Sequence, residues 1–183
     1  MMTRIETDRL VIRNFGADDW QDLQEMIIKY QASEYAKYDH KWPTATEEIK
    51  GIVAWFAGGD NYLAVCLKTA GKLIGFIALN PGEEEGRVEF NLGYVFHTDY
   101  HGQGYATEGC RAALDHAFGL LAADRVVSGT AAANQPSCQL LRRLGMEETG
   151  RQTGSFQETP DGEPIEFVGL SFAISRDEWA ALG

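Results

Sequence analysis

His101-Gly102-Gln103-Gly104-Tyr105-Ala106-Thr107-Glu108 decides the fold. It follows an apolar stretch, Arg87–Phe96, that reads as a strand. It opens Tyr105–Leu121, in which Ala106, Cys110, Ala113, Ala117 and Leu121 recur at helical spacing. Free amides at a helix N-terminus carry partial positive charge, and glycines let the chain curl closely around an anion. The alternative is a purely structural turn. A nucleoside-triphosphate loop would need Lys-Ser/Thr after its last glycine, and Tyr105-Ala106 stands there. A dinucleotide loop would need a third glycine where Thr107 stands, and an acidic residue closing the next strand, whereas Asp124 precedes it.

Working toward the N-terminus, Arg9–Phe15 reads as a short strand. Asp18 or Asp19 then caps a helix carrying Trp20, Leu23, Ile27 and Tyr30. Thr44 and Glu47 are spaced as a capping box before Ile49, Val53 and Phe56, and Gly58-Gly59-Asp60 stops that helix. Tyr62–Leu67 and Lys72–Leu79 read as a hairpin about Thr69-Ala70-Gly71. Asn80-Pro81-Gly82 forms the next turn, and the acidic run Glu83-Glu84-Glu85-Gly86 its solvated tip. Toward the C-terminus, Arg125–Ala131 is a strand and Pro136 opens a helix ending at Leu144-Gly145. Glu147–Phe156 and Ile165–Ile174 flank a loop at Thr159-Pro160-Asp161-Gly162, and Ser175 with Glu178 caps a last helix. Strands alternating with helices, with hairpins at both ends, indicate an α/β (α+β) mixed sheet.

The 183 residues fit one domain, 1–183, with no repeat or linker. Three cysteines without paired spacing argue against disulfides and zinc, and the histidines show no ligand spacing. No signal peptide or membrane-length apolar run is visible, so the expectation is a cytoplasmic protein. A net charge of −11 repels nucleic acid and favours a cationic partner, so an anionic ligand needs local main-chain donors.

His101–Glu108 resembles the acetyl-coenzyme A signature of the GNAT N-acetyltransferases, and Gly-x-Gly-Tyr-Ala-Thr-Glu is similar to their ribosomal-protein (RimJ/RimL-like) branch. Thr7-Asp8-Arg9-Leu10-x-Ile12-Arg13, Leu92-Gly93-Tyr94, and Asn134-x-x-Ser137 with Leu144-Gly145-Met146 resemble that branch's other motifs, in order. The resemblance implies a central, mostly antiparallel sheet of about seven strands flanked by helices. It implies acetyl-CoA as cosubstrate, without metal, and an acceptor that is a small-molecule amine or a protein N-terminus. The protein would be a monomer or homodimer. His101 stands where the family has Gln or Arg. Leu141 stands where many members carry a Tyr acid, which leaves a non-catalytic coenzyme A-binding module as the alternative.

By the same resemblance, main-chain groups of Tyr94, Val95 and Phe96 hold the pantetheine arm. His101, Gly102, Gln103, Gly104, Tyr105, Ala106 and Thr107 cradle the pyrophosphate, and Arg143 reaches the nucleotide phosphates. Asn134 bonds pantetheine or only caps the turn before Pro136. Glu89 and Asn91 share a strand face with Gly93 and Val95. Glu89 is the candidate base, directly or through water, or else an exposed carboxylate; Asn91 orients the water. Ser137 is the candidate acid, or a helix cap. Tyr38 and Trp42, between the first two helices, wall the acceptor tunnel or cover the core.

Overall fold

The computed structural model describes residues 3–82 and 86–183. The strands are β1 (Arg4–Glu6), β2 (Leu10–Asn14), β3 (Tyr62–Leu67), β4 (Leu73–Pro81), β5 (Glu89–Phe96), β6 (Arg125–Ala131), β7 (Glu147–Glu158) and β8 (Pro164–Ser175). The α-helices are α1 (Trp20–Gln31), α2 (Thr46–Ala57), α3 (Tyr105–Gly119), α4 (Gln135–Arg143) and α5 (Arg176–Leu182). The strands form one mixed sheet in the order β1-β2-β3-β4-β5-β6-β8-β7, in which, among the described residues, only β5 and β6 are parallel.

Two apolar layers enclose the sheet. Leu10, Ile12, Ile74, Ile77 and Leu92 pack against Cys110, Ala113, Leu114 and Ala117 of α3 and Leu140 and Leu141 of α4. On the other face, Ala64, Cys66, Leu73 and Phe76 pack against Leu23, Met26 and Ile27 of α1 and Ile49, Val53 and Phe56 of α2. Fully burying one large apolar side chain stabilises by roughly 1.5–3 kcal/mol, more than a typical helix cap. The layers therefore outweigh capping: α2 forms with Ala45 at its N-cap and no side-chain cap bond. The capping box expected from Thr44 and Glu47 is absent; Thr44 instead presents its carbonyl to Gln24 Nε2. Asp19 precedes α1 but does not cap it; its carboxylate accepts from Arg13 and from the Gly16 amide. The Ser175–Glu178 box does form.

The sheet departs from the sequence reading at two further places. Arg4–Glu6 adds an eighth strand beside β2, too short for an alternation to be read. β4 also runs through Asn80 and Pro81, which pair with Asn91 and Phe90, rather than turning there. Proline is tolerated at this terminal strand position, and the Gly82 amide still reaches the Glu89 carbonyl. The acidic run read as the tip of that turn, 83–85, lies outside the described residues.

β5 and β6 pair over only three positions, Glu89–Asn91 with Arg125–Val127. Beyond them the strands part, β5 running on to Phe96 and β6 to Ala131. Ser128 plugs the angle, its buried Oγ donating to the Leu92 carbonyl at 2.8 Å. The fork so formed positions everything that follows.

Candidate active site

A cleft of about 1310 Å³ fills the fork and extends across the sheet toward the segment between α1 and α2. Strand alternation decides which main-chain groups of β5 face it. The His97 amide bonds Ile74 and the Glu89 carbonyl accepts from Gly82, so odd-numbered residues direct their main chain to β4. Leu92, Tyr94 and Phe96 therefore direct theirs toward β6, where no strand accompanies them past the plug. Tyr94 offers the fork both a donor and an acceptor. Val95, paired with Phe76, presents only its side chain to the cleft. The Phe96 carbonyl accepts from His101 Nε2 at 3.0 Å, which places a proton on that nitrogen and occupies it.

One end of the cleft is the start of α3, whose free amides make it electropositive. Gly102 and Gly104 have φ of +73° and +83°, left-handed values that favour glycine. Gly104 is the N-cap and α3 has no side-chain cap bond. The first helical bond from Gly104 comes from Glu108, so the amides of Tyr105, Ala106 and Thr107 have no acceptor within the helix. All three residues line the cleft, as do His101, Gly102, Gly104 and Arg143. Arg142 turns away, toward Glu148 and the Phe172 ring. Gln103 does not line the cleft: its side chain donates to the Asp99 carbonyl and its carbonyl accepts from Arg9 Nη1 at 2.9 Å.

Arg9, which the sequence marks only as part of a strand motif, buttresses this turn. Its Nε donates to Glu108 Oε2 at 2.7 Å and its guanidinium lies 4.4 Å from the Tyr105 ring centre. Glu108 also accepts from the Thr7 hydroxyl and the Arg9 amide. Burial pushes the Glu108 carboxyl up, but these bonds outweigh it and hold it below the usual carboxylate range.

Asn134 is the N-cap of α4, its Oδ1 accepting from the Ser137 amide at 3.2 Å. Ser137 is thus the capped residue rather than the cap. Its Oγ lies 2.7 Å from the Tyr94 hydroxyl, and both side chains line the cleft. Burial pushes the Tyr94 phenol far up, so it stays protonated. Leu141 is fully buried among core residues.

On the opposite face of β5, Asn91 lines the cleft with Asn80, its cross-strand partner on β4. Asn80, a turn residue by its sequence, is a strand residue of β4. Glu89, expected as the base beside Asn91, does not line the cleft. It lies where β5 and β6 are still paired, and its Oε2 accepts from Arg125 Nη1 at 3.1 Å. Tyr38 and Trp42 both line the far end, joined by Tyr30, Tyr35, Phe156 and Phe167. Gln157, which no sequence signal marked, donates to the carbonyls of Ala36 and Asp39 and pins this segment to β7.

The acetyltransferase (GNAT) domain family matches residues 9–147. An uncharacterized N-acetyltransferase of Bacillus subtilis, YnaD, is 29% identical over 177 residues, covering 96% of this chain and 98% of that protein. Among solved structures, a GNAT-family acetyltransferase from Bacillus anthracis superposes with a TM-score of 0.80 at 24% identity, over 96% of this chain and 99% of the other. A ribosomal-protein-S5-alanine acetyltransferase from Vibrio fischeri superposes with a TM-score of 0.79 at 16% identity, over 97% and 98%. At these identities the likeness of the solved structures speaks for the fold. The family match spans the fork, the turn into α3 and the capped start of α4, and the chain belongs to the GNAT acetyltransferases.

Proposed function

We propose that the chain moves an acetyl group from acetyl-CoA directly to a primary amine. One observation carries this reading: the β5–β6 fork opens onto the uncapped N-terminus of α3, so unused main-chain donors line a continuous cleft. The amides of Tyr105, Ala106 and Thr107 suit a pyrophosphate, and Arg143, which lines the same cleft, suits a further phosphate. An acidic protein can hold an anion there because its donors are peptide dipoles. Acetyl-CoA supplies the activated acyl group. The Tyr94 main chain pairs with the pantetheine amides as an added strand would, and a peptide N–H of the fork polarises the thioester carbonyl.

The two faces of β5 divide the proton traffic. On the α1/α2 side, Asn91 and Asn80 hold water through which the entering ammonium passes its proton to bulk solvent, leaving the neutral amine as nucleophile. An unperturbed amine titrates near ~10, so this step relies on desolvation within the cleft. On the α3/α4 side, the protonated Tyr94 phenol donates to Ser137 Oγ and turns the serine proton toward the departing sulfur. Asn134, with Oδ1 engaged in the cap, keeps Nδ2 as a donor for pantetheine. The motifs joined by Arg9 and Glu108 resemble those of the ribosomal-protein N-acetyltransferase branch, a likeness confined to the turn into α3 and not extending to the acceptor end of the cleft.

Thiol release measured beside mass spectrometry of an amine panel tests the reading. Release of coenzyme A in step with acetylated amine is expected. Tight acetyl-CoA binding with no amine acetylated would favour a coenzyme A-binding module.

A further inference from the structure

Asp39 is the only carboxylate lining the cleft among the described residues, and Arg143 the only arginine or lysine. They belong to opposite faces of the sheet. Arg143 ends α4, whereas Asp39 stands between α1 and α2 and bonds Tyr30 and Trp42.

The Asp39 carboxylate is fully oriented yet not neutralised. Its Oδ2 accepts from the Tyr30 hydroxyl at 3.2 Å and from Trp42 Nε1 at 3.3 Å, and its Oδ1 accepts from the His40 amide at 2.7 Å. These donors are neutral. No Lys, Arg or His side chain pairs with it among the described residues, although the chain uses such pairs at many other carboxylates. The Tyr30 phenol is pushed up by burial and by Asp39 itself, so it remains a donor. A half-buried negative charge held only by neutral in-plane donors, the Tyr30 hydroxyl, Trp42 Nε1 and the His40 amide, attracts an ammonium by charge.

The surroundings are roofed. Tyr38 meets Phe167 with ring centres 5.8 Å apart, His40 meets Phe156 at 4.2 Å, and Gln157 ties the segment down. This suits a small molecule rather than a protein surface. Asp39 also stands back from the fork. Its contacts reach β5 through Trp42, then the Phe76 ring 5.7 Å away, then across the register to Val95. An ammonium seated on Asp39 is therefore separate from the amine delivered to the thioester.

We propose that Asp39, with Tyr30 and Trp42, anchors a second ammonium of the acceptor, so that the preferred substrate is a small aliphatic diamine. This rests on the acetyl-transfer reading above. The apolar walls between Asp39 and the fork accommodate the spacer, and the net charge of −11 draws in such a dication.

The test compares α,ω-diaminoalkanes with monoaminoalkanes of matched length, using wild type, Asp39→Asn and Asp39→Glu, with acetyl-CoA titrated calorimetrically into each. Wild type should favour the diamine in kcat/KM by tenfold or more. Asp39→Asn should erase that preference through KM, leaving acetyl-CoA affinity and monoamine turnover unchanged, and Asp39→Glu should restore part of it. Equal use of mono- and diamines by wild type, with Asp39→Asn without effect, would overturn the anchor while leaving acetyl transfer intact. An equal fall in kcat for both amine classes in Asp39→Asn would also overturn it, by assigning Asp39 to the chemistry. Acetylation of no amine at all would remove the acetyl-transfer reading and the anchor together.

Discussion

Arg9 and Glu108 join the start of β2 to the first turn of α3 through a 2.7 Å ion pair, across 99 residues of sequence. The Glu108 carboxylate gathers three groups of the β1–β2 corner, and Arg9 passes on to the Gln103 carbonyl inside the glycine turn. The corner therefore fixes the turn from outside the cleft and leaves the α3 amides unobstructed.

This arrangement predicts a pH dependence. Glu108 is held below its ordinary 4.5 in the folded state, so its contribution is present above that value and lost as pH falls through the folded one. Glu108→Gln should cost about 1–2 kcal/mol near neutral pH. Urea unfolding should show that gap closing below the usual carboxylate range. A gap independent of pH would mean that packing, not charge, holds the corner.

Ser137 and Tyr94 should behave as one unit. Ser137→Ala should lower kcat by about 10²-fold, with acetyl-CoA affinity nearly unchanged. Tyr94→Phe should also lower kcat, because Tyr94 acts by orienting the serine. The double variant should be no slower than Ser137→Ala alone. Steady-state kinetics on the three variants checks this, and additive losses would separate the two hydroxyls.

Glu89→Gln should leave kcat/KM within about twofold to threefold and lower stability by about 1 kcal/mol at most, since the carboxylate serves Arg125 outside the cleft. Kinetics alongside thermal melting distinguishes this from a base, whose loss costs at least 10²-fold.

Local patterns were legible where one interaction dominates. The apolar runs Tyr62–Leu67 and Arg125–Ala131 form strands with those bounds, and the small-residue face of α3 is the buried one. The Ser175–Glu178 box formed because its exposed helix has few competing contacts. The Thr44–Glu47 box failed because the buried face of α2 sets its start at Thr46. Glu89 illustrates the limit of strand alternation: it gives the face but not where the sheet forks. The Ser128 plug, the Arg9–Glu108 tie, the Tyr94–Ser137 contact and the Gln157 pin are all long-range pairings. No local spacing encodes them, and they emerge only from the register of the folded sheet.

Calorimetric titration of acetyl-CoA into wild type and Gly104→Glu tests the central claim most directly. Gly104 has a left-handed φ of +83° and a built Cβ would lie 3.3 Å from Arg9 Nη2, so glutamate there brings strain and a negative charge to the start of α3. The account predicts one equivalent bound by wild type and affinity at least tenfold weaker in the variant, with both proteins folded by circular dichroism. No heat of binding to wild type, or the same affinity in both, would contradict it.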